Sequence, residues 1–182
     1  MTDLQQVLLP GDVLAVRGGG LAGTLIRLGA ALADKPNLSG HVAVMHHYDS
    51  GGVPWGLEGR PGGVGWVDLR AYVESPWTMN NCRQPDRTEA QRARVAKAAE
   101  GMLGTPYDWQ AILGDGFDDL HVKLWNLPGF AERPGQVVCS SFAAYLYEQE
   151  KWPHPGLNDE RYCQPADWDT WIVAHGYNVS LH

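Results

Sequence analysis

The sequence predicts a single α+β domain over residues 1–182, with an antiparallel sheet packed against a helix that begins near Cys139. Three observations carry this expectation. The run HVAVMHHY, from His41 to Tyr48, alternates its side chains between two faces and is bounded by turn-forming residues, as a strand is. The segment VVCSSFAAYLYEQE puts Cys139, Phe142, Ala143 and Leu146 on one face of a helix running from about Cys139 to Glu150. Finally, 22 glycines and 12 prolines in 182 residues require many turns, which argues against an all-helical bundle.

In chain order, Pro10 and Gly11 mark a turn, Asp12 to Val16 a strand, and Leu21 to Leu32 an apolar helix. After the His41 strand, the turn residues Asp49 to Gly52 lead into a hairpin partner, Pro54 to Glu58. Arg60 to Gly63 turn the chain again into Val64 to Val67, followed by a short helical turn from Asp68 to Val73 and a strand over Thr78 to Arg83. Asp86 and Glu89 have capping-box spacing, which predicts a helix from Asp86 to about Leu103 with Gly104 as its left-handed stop. Its Arg87, Arg92, Arg94 and Lys97, interleaved with Glu89 and Glu100, read as a solvated face. The last helix follows Pro165 and carries Trp168, Trp171 and Ile172.

A net charge of −7 argues against sequence-independent binding of nucleic acid, which draws its affinity from Lys and Arg. No apolar run approaches the ~20 residues of a membrane helix, and the opening MTDLQQVLLPGD lacks the basic start and apolar stretch of a signal peptide. The expected location is therefore the cytoplasm, or, for a phage-encoded protein, the virion or host cytoplasm. Cys82, Cys139 and Cys163 are odd in number and widely spaced, which fits neither a disulfide framework nor a short-spaced metal site. Neither a metal nor any other cofactor is expected.

A thiol at a helix N-terminus meets unsatisfied backbone N–H groups and the positive end of the helix dipole, both of which favour thiolate. Cys139 occupies such a place, and the same N–H groups would stabilise an oxyanion formed by its attack on a carbonyl. The competing reading is a buried core cysteine. His41, at the start of its strand, is the candidate general base, with His46 and His47 as rivals; alternation places His41 and His47 on one side, His46 and Tyr48 on the other. Glu58, in the apolar segment PWGLEGR, is the candidate group that orients the imidazole, the alternatives being a salt bridge to Arg60 or a solvent-facing strand residue.

These motifs together, HVAVM at His41, GLEGRPGGV around Glu58, GTPYDW from Gly104 to Trp109, VVCSSFAAYLY at Cys139 and PADW at Pro165, resemble the circularly permuted branch of the NlpC-type papain-fold cysteine hydrolases. That branch includes YiiX-like proteins and lecithin retinol acyltransferase relatives, and in it the histidine strand precedes the cysteine helix. The opening PGDVLAVRG is similar to the family's first strand. The resemblance implies a papain-like α+β fold with Cys139 as nucleophile, His41 as general base and acid, and Glu58 as orienter. Tyr107 matches a tyrosine that borders the active site in such proteins. With Ser140 and Trp55 it makes up the expected substrate-binding set. The implied partner is a peptide, a cell-wall fragment or an acyl substrate, and the implied reaction is cleavage of an amide. An ester hydrolase or acyltransferase acting on lipids, and a binding module without activity, are the alternatives.

The segment between Tyr107 and Cys139 is long and carries Asp115, Asp118, Asp119, His121 and Trp125, the expected material of a lid or substrate-binding loop. Gly18, Gly20 and Gly23 fit a dinucleotide-binding fingerprint between a strand and a helix, which is a further alternative. That reading requires a doubly wound parallel sheet.

Overall fold

A computed structural model describes residues 8–16, 39–73, 79–84, 86–108, 137–155, 163 and 165–178. Five strands form one sheet: β1 (Val13–Val16), β2 (His41–Tyr48), β3 (Pro54–Arg60), β4 (Gly63–Asp68) and β5 (Met79–Cys82), in the spatial order β4-β3-β2-β1-β5. Every neighbouring pair is antiparallel. Among the described residues the helices are α1 (Arg70–Val73), α2 (Glu89–Gly101), α3 (Cys139–Gln149) and α4 (Pro165–Ala174). The α+β class and the antiparallel sheet are as the sequence predicts. Because β1 and β2 are antiparallel neighbours, they do not build the parallel strand–helix–strand unit that the glycine fingerprint requires. Gly18, Gly20 and Gly23 themselves, the predicted helix Leu21 to Leu32, and the acidic insert with Asp115, Asp118, Asp119, His121 and Trp125 lie outside the described residues.

The alternation of β1 to β3 sorts two apolar clusters onto the two faces of the sheet. Val13, Ala15, Val42, Val44 and Leu57 face the larger one, where Phe142, Ala143, Leu146 and Tyr147 of α3, Val95 and Ala99 of α2, and Trp168 and Ile172 of α4 are buried. Full burial of a side chain such as Phe142 or Leu146 contributes about 1.5–3 kcal/mol, so the helical stripe behind Cys139 fixes α3 on the sheet. Leu14, Val16, Ala43 and Met45 face the smaller cluster, which Leu8 and Leu69 complete and against which Tyr72 packs. Leu69 seats there over Gly56, where a Cβ would lie 2.9 Å from Leu69 Cδ2 and 2.7 Å from the Val44 carbonyl oxygen. The missing side chain at Gly56 thus lets α1 dock back onto the sheet.

Three local expectations are corrected. The capping box of α2 is built by Thr88 and Gln91, not Asp86 and Glu89: Gln91 N–H donates to Thr88 Oγ1 at 3.2 Å and Thr88 N–H to Gln91 Oε1 at 2.9 Å. The helix ends at Gly101, with Gly104 following at φ +78°. Arg92 does not belong to a solvated face: it is 5% exposed, donates to Asp12 Oδ1 at 2.7 Å and also donates to the Gln84 carbonyl. A buried carboxylate near the start of β1 claims this guanidinium, because each would be costly alone. The third correction is in β2, where the ladder with β3 shifts register between Met45 and His47. That irregularity breaks strict alternation, so Tyr48 joins the Met45 side while His46 and His47 both pack on Trp66.

Candidate active site

His41 is the first residue of β2 and pairs with Val16 of β1, but the ladder from β2 to β3 runs only from Val44 opposite Leu57 to Tyr48 opposite Pro54. At the His41 end the backbone of β2 is thereby open on its β3 side. The N-terminus of α3 fills this place: a Cβ at Gly59 would lie 3.3 Å from both N and Cα of Cys139. Val42 gives the Cys139 sulfur a backbone hydrogen bond, and the His41 side chain gives it another. Nε2 of His41 meets Glu58 Oε2 at 2.8 Å, which leaves Nδ1 as the ring nitrogen for sulfur. Cys139, His41 and Glu58, chosen from the sequence, are therefore brought together in one hydrogen-bonded series.

Glu58 is 5% exposed and holds more than the imidazole. Tyr72 donates its hydroxyl to the same Oε2 at 2.5 Å, and Arg60 Nη1 lies 3.6 Å from Oε1. The salt bridge to Arg60 and the orienting contact to His41 thus coexist on the two oxygens of one carboxylate. Tyr107 hydrogen-bonds the Cys139 side chain. It is held there because its segment runs beside the chain entering α3: Tyr107 forms a parallel bridge with Val137, and Asp108 N–H donates to the Val137 carbonyl at 3.1 Å.

Cys139 is the first residue of α3, after an extended Val138 at φ −98° and ψ 167°. Ser141 Oγ accepts the Val138 N–H at 3.1 Å and so fixes the entry of the helix. The first-turn N–H groups have no intrahelical acceptor, and they point toward the sulfur end. Burial opposes a charge on Cys139, but the His41 charge and hydrogen bond, with the Val42 N–H, outweigh it and lower the thiol below its ordinary pKa. Burial likewise opposes the charged His41 ring, yet Cys139 and Glu58 raise it to about 10. Glu58 is lowered: burial pushes it up, while the hydrogen bond and charge of His41, the Tyr72 hydroxyl and Arg60 pull it further down. All three shifts favour the charged forms, thiolate, imidazolium and carboxylate, relative to the same groups free in water. Burial first, and then the negative charges beside them, raise the phenols of Tyr72 and Tyr107, which stay protonated and act as donors.

The remaining expected site residues stand apart. Ser140 is 1% exposed and gives its carbonyl to Trp168 Nε1 at 3.2 Å, a place inside the helix packing. Trp55 lies at the other end of β3, opposite Asp68, and donates Nε1 to Asp49 Oδ2 at 3.1 Å. His46 and His47 lie beyond the irregularity in β2, with His46 3.8 Å from Glu100, away from the thiol. Cys82 and Cys163 are buried; burial pushes the Cys82 thiol to about 12 and holds the Cys163 thiol well above its ordinary value. Among the described residues no cluster of three or more His, Cys, Asp or Glu is arranged to hold a metal ion, and no helix is long and apolar enough to cross a membrane. Sequence reasoning missed Tyr72 and the Val42 N–H. No spacing signals either, since Tyr72 reaches Glu58 only once α1 has folded back and a backbone N–H belongs to every residue type but proline.

Compared with known proteins, the chain matches no family model and no curated protein.

Proposed function

We propose that the protein is a cysteine hydrolase of papain-like, permuted NlpC-type architecture that cleaves an amide, in the first instance a peptide bond such as those of bacterial cell wall. One observation carries the reading: a thiol at the N-terminus of a buried helix, hydrogen-bonded to an imidazole whose other nitrogen is held by a buried carboxylate. In this reading the Cys139 thiolate attacks the carbonyl carbon, and the carbonyl electron pair moves to oxygen. First-turn N–H groups of α3 stabilise that oxyanion. The His41 imidazolium gives its proton to the departing amine nitrogen as the C–N bond breaks, leaving a thioester on Cys139. Water then loses a proton to His41 as it attacks the thioester, and the thiolate leaves to restore the pair. Glu58 keeps the ring turned with Nδ1 toward sulfur, and Tyr107 borders the place where substrate must lie.

A thiol-reactive acyl probe tests the reading when applied to the full chain and to Cys139→Ala, followed by turnover assays on cell-wall peptides and lipid esters. Covalent capture at Cys139 with turnover of a peptide amide is the expected result. Turnover of lipid esters alone would move the assignment to an ester hydrolase or acyltransferase, and absence of capture would leave a binding module.

A further inference from the structure

Glu58 is engaged on both of its oxygens, and the donor nearest to it is not the imidazole. Oε2 accepts from His41 Nε2 at 2.8 Å and from the Tyr72 hydroxyl at 2.5 Å, while Oε1 faces Arg60 at 3.6 Å. The Arg60 side chain is 48% exposed, against 6% for that of Glu58. Turning toward Arg60 would bring the carboxylate a solvated cation and break its contact with His41. A second short bond on Oε2 opposes that rotation. Tyr72 is itself placed by α1, whose docking depends on Leu69 over Gly56, and its ring centroid lies 6.0 Å from that of His41. It therefore touches both the orienting group and the base.

We infer that Tyr72 is a positioning residue of the site: its hydroxyl fixes Glu58 Oε2 on His41 Nε2. The inference rests on the Cys139–His41–Glu58 reading and adds a fourth member to it. An ionised carboxylate can only accept, and a phenol that burial and the Glu58 charge keep protonated can only donate in this bond, so their roles are fixed. The charged or titratable groups acting on Glu58 are His41 from β2, Arg60 from β3 and Tyr72 from α1. Tyr107 feels the Glu58 charge, and Glu58 in turn acts on Cys139. Of these only Tyr72 and His41 hydrogen-bond Oε2.

The test uses the full chain as wild type, Tyr72→Phe, Tyr72→Leu, Glu58→Gln and the Tyr72→Phe/Glu58→Gln double variant. Two readouts require no substrate: the carbon-13 NMR titration of the Glu58 carboxyl, and the rate of Cys139 alkylation by iodoacetamide at pH ~6. Tyr72→Phe keeps the ring and removes one donor, so the Glu58 titration should move up by about one pH unit and alkylation should slow about tenfold. In the Glu58→Gln background the same change should slow alkylation less than about twofold, because the oxygen it positions is no longer a carboxylate. An unchanged Glu58 titration in Tyr72→Phe, or equal slowing in both backgrounds, overturns the inference. So does a Tyr72→Phe that behaves as wild type while Tyr72→Leu loses reactivity, which would make Tyr72 a packing residue. Failure of the underlying reading looks different: wild-type Cys139 would then alkylate no faster at this pH than the urea-unfolded chain.

Discussion

Gly59 lies directly beneath Cys139, so that a Cβ on Gly59 would stand 3.3 Å from both the nitrogen and the Cα of the cysteine. The Cys139 backbone therefore rests on β3, one residue beyond Glu58. Gly59→Ala forces α3 away by a few tenths of an ångström, and Gly59→Val by more. We expect Gly59→Val to reduce capture of the acyl probe about 100-fold, the scale of a ~1 Å misplacement of a reacting group. Circular dichroism should show the fold retained, and unchanged capture would contradict the contact.

Substitutions within the series should separate the three roles. Cys139→Ala should abolish turnover. His41→Ala should lower it by roughly 10²–10⁴-fold, the range of a positioned acid or base. Glu58→Gln should lose about tenfold, since the amide oxygen still accepts from the ring but a charge-assisted bond is about twice as strong. Steady-state rates on the peptide substrate identified with the probe check the order.

The pH dependence of alkylation follows from the shifts at the site. Cys139 is lowered, so its thiolate persists to a lower pH than that of a free thiol, which ionises near ~8.5, and is lost as pH falls through the depressed value. His41 is raised to about 10, so the imidazolium that supports the thiolate is lost on the alkaline side as pH rises through that value. Iodoacetamide should modify Cys139 alone at neutral pH, because Cys82 and Cys163 are raised by burial. Peptide mass mapping at a series of pH values measures this, and faster labelling of Cys82 or Cys163 would contradict it.

Stability should depend on the buried pair of Asp12 and Arg92. Arg92→Leu leaves the Asp12 carboxylate at 0% exposure without its nearest guanidinium. It should cost about 3–5 kcal/mol, whereas the double change Asp12→Asn/Arg92→Leu should recover part of that loss because no buried charge is stranded. Urea denaturation of the three variants gives the comparison.

The chemistry-bearing segments are legible in the sequence because their signals are local. Alternation marks β2, the turn residues mark its hairpin with β3, and helical spacing after Cys139 marks α3. What is not legible depends on tertiary contact. Arg92 reads as a surface charge because its partner Asp12 is 80 residues away in the chain. Thr88 caps α2 in place of Asp86 because the first turn starts at Glu89, and spacing fixes a helix start only to within a few residues. The register shift in β2 changes which side His46 and Tyr48 take, although no glycine or proline in HVAVMHHY announces it.

The division of the site along the chain has a consequence for its biogenesis. His41, Glu58 and Tyr72 all belong to the continuous stretch from β2 to α1, a three-stranded meander and its short helix that close by local contacts. Cys139 comes from a helix that begins well after that stretch and reaches it only by docking over Gly59. Until that docking occurs the thiol has neither the imidazole nor the Val42 amide and is as inert as any cysteine in an open chain. On the proposed reading a nascent or misassembled molecule therefore carries no activated nucleophile, and electrophile capture at Cys139 reports that α3 has docked over Gly59.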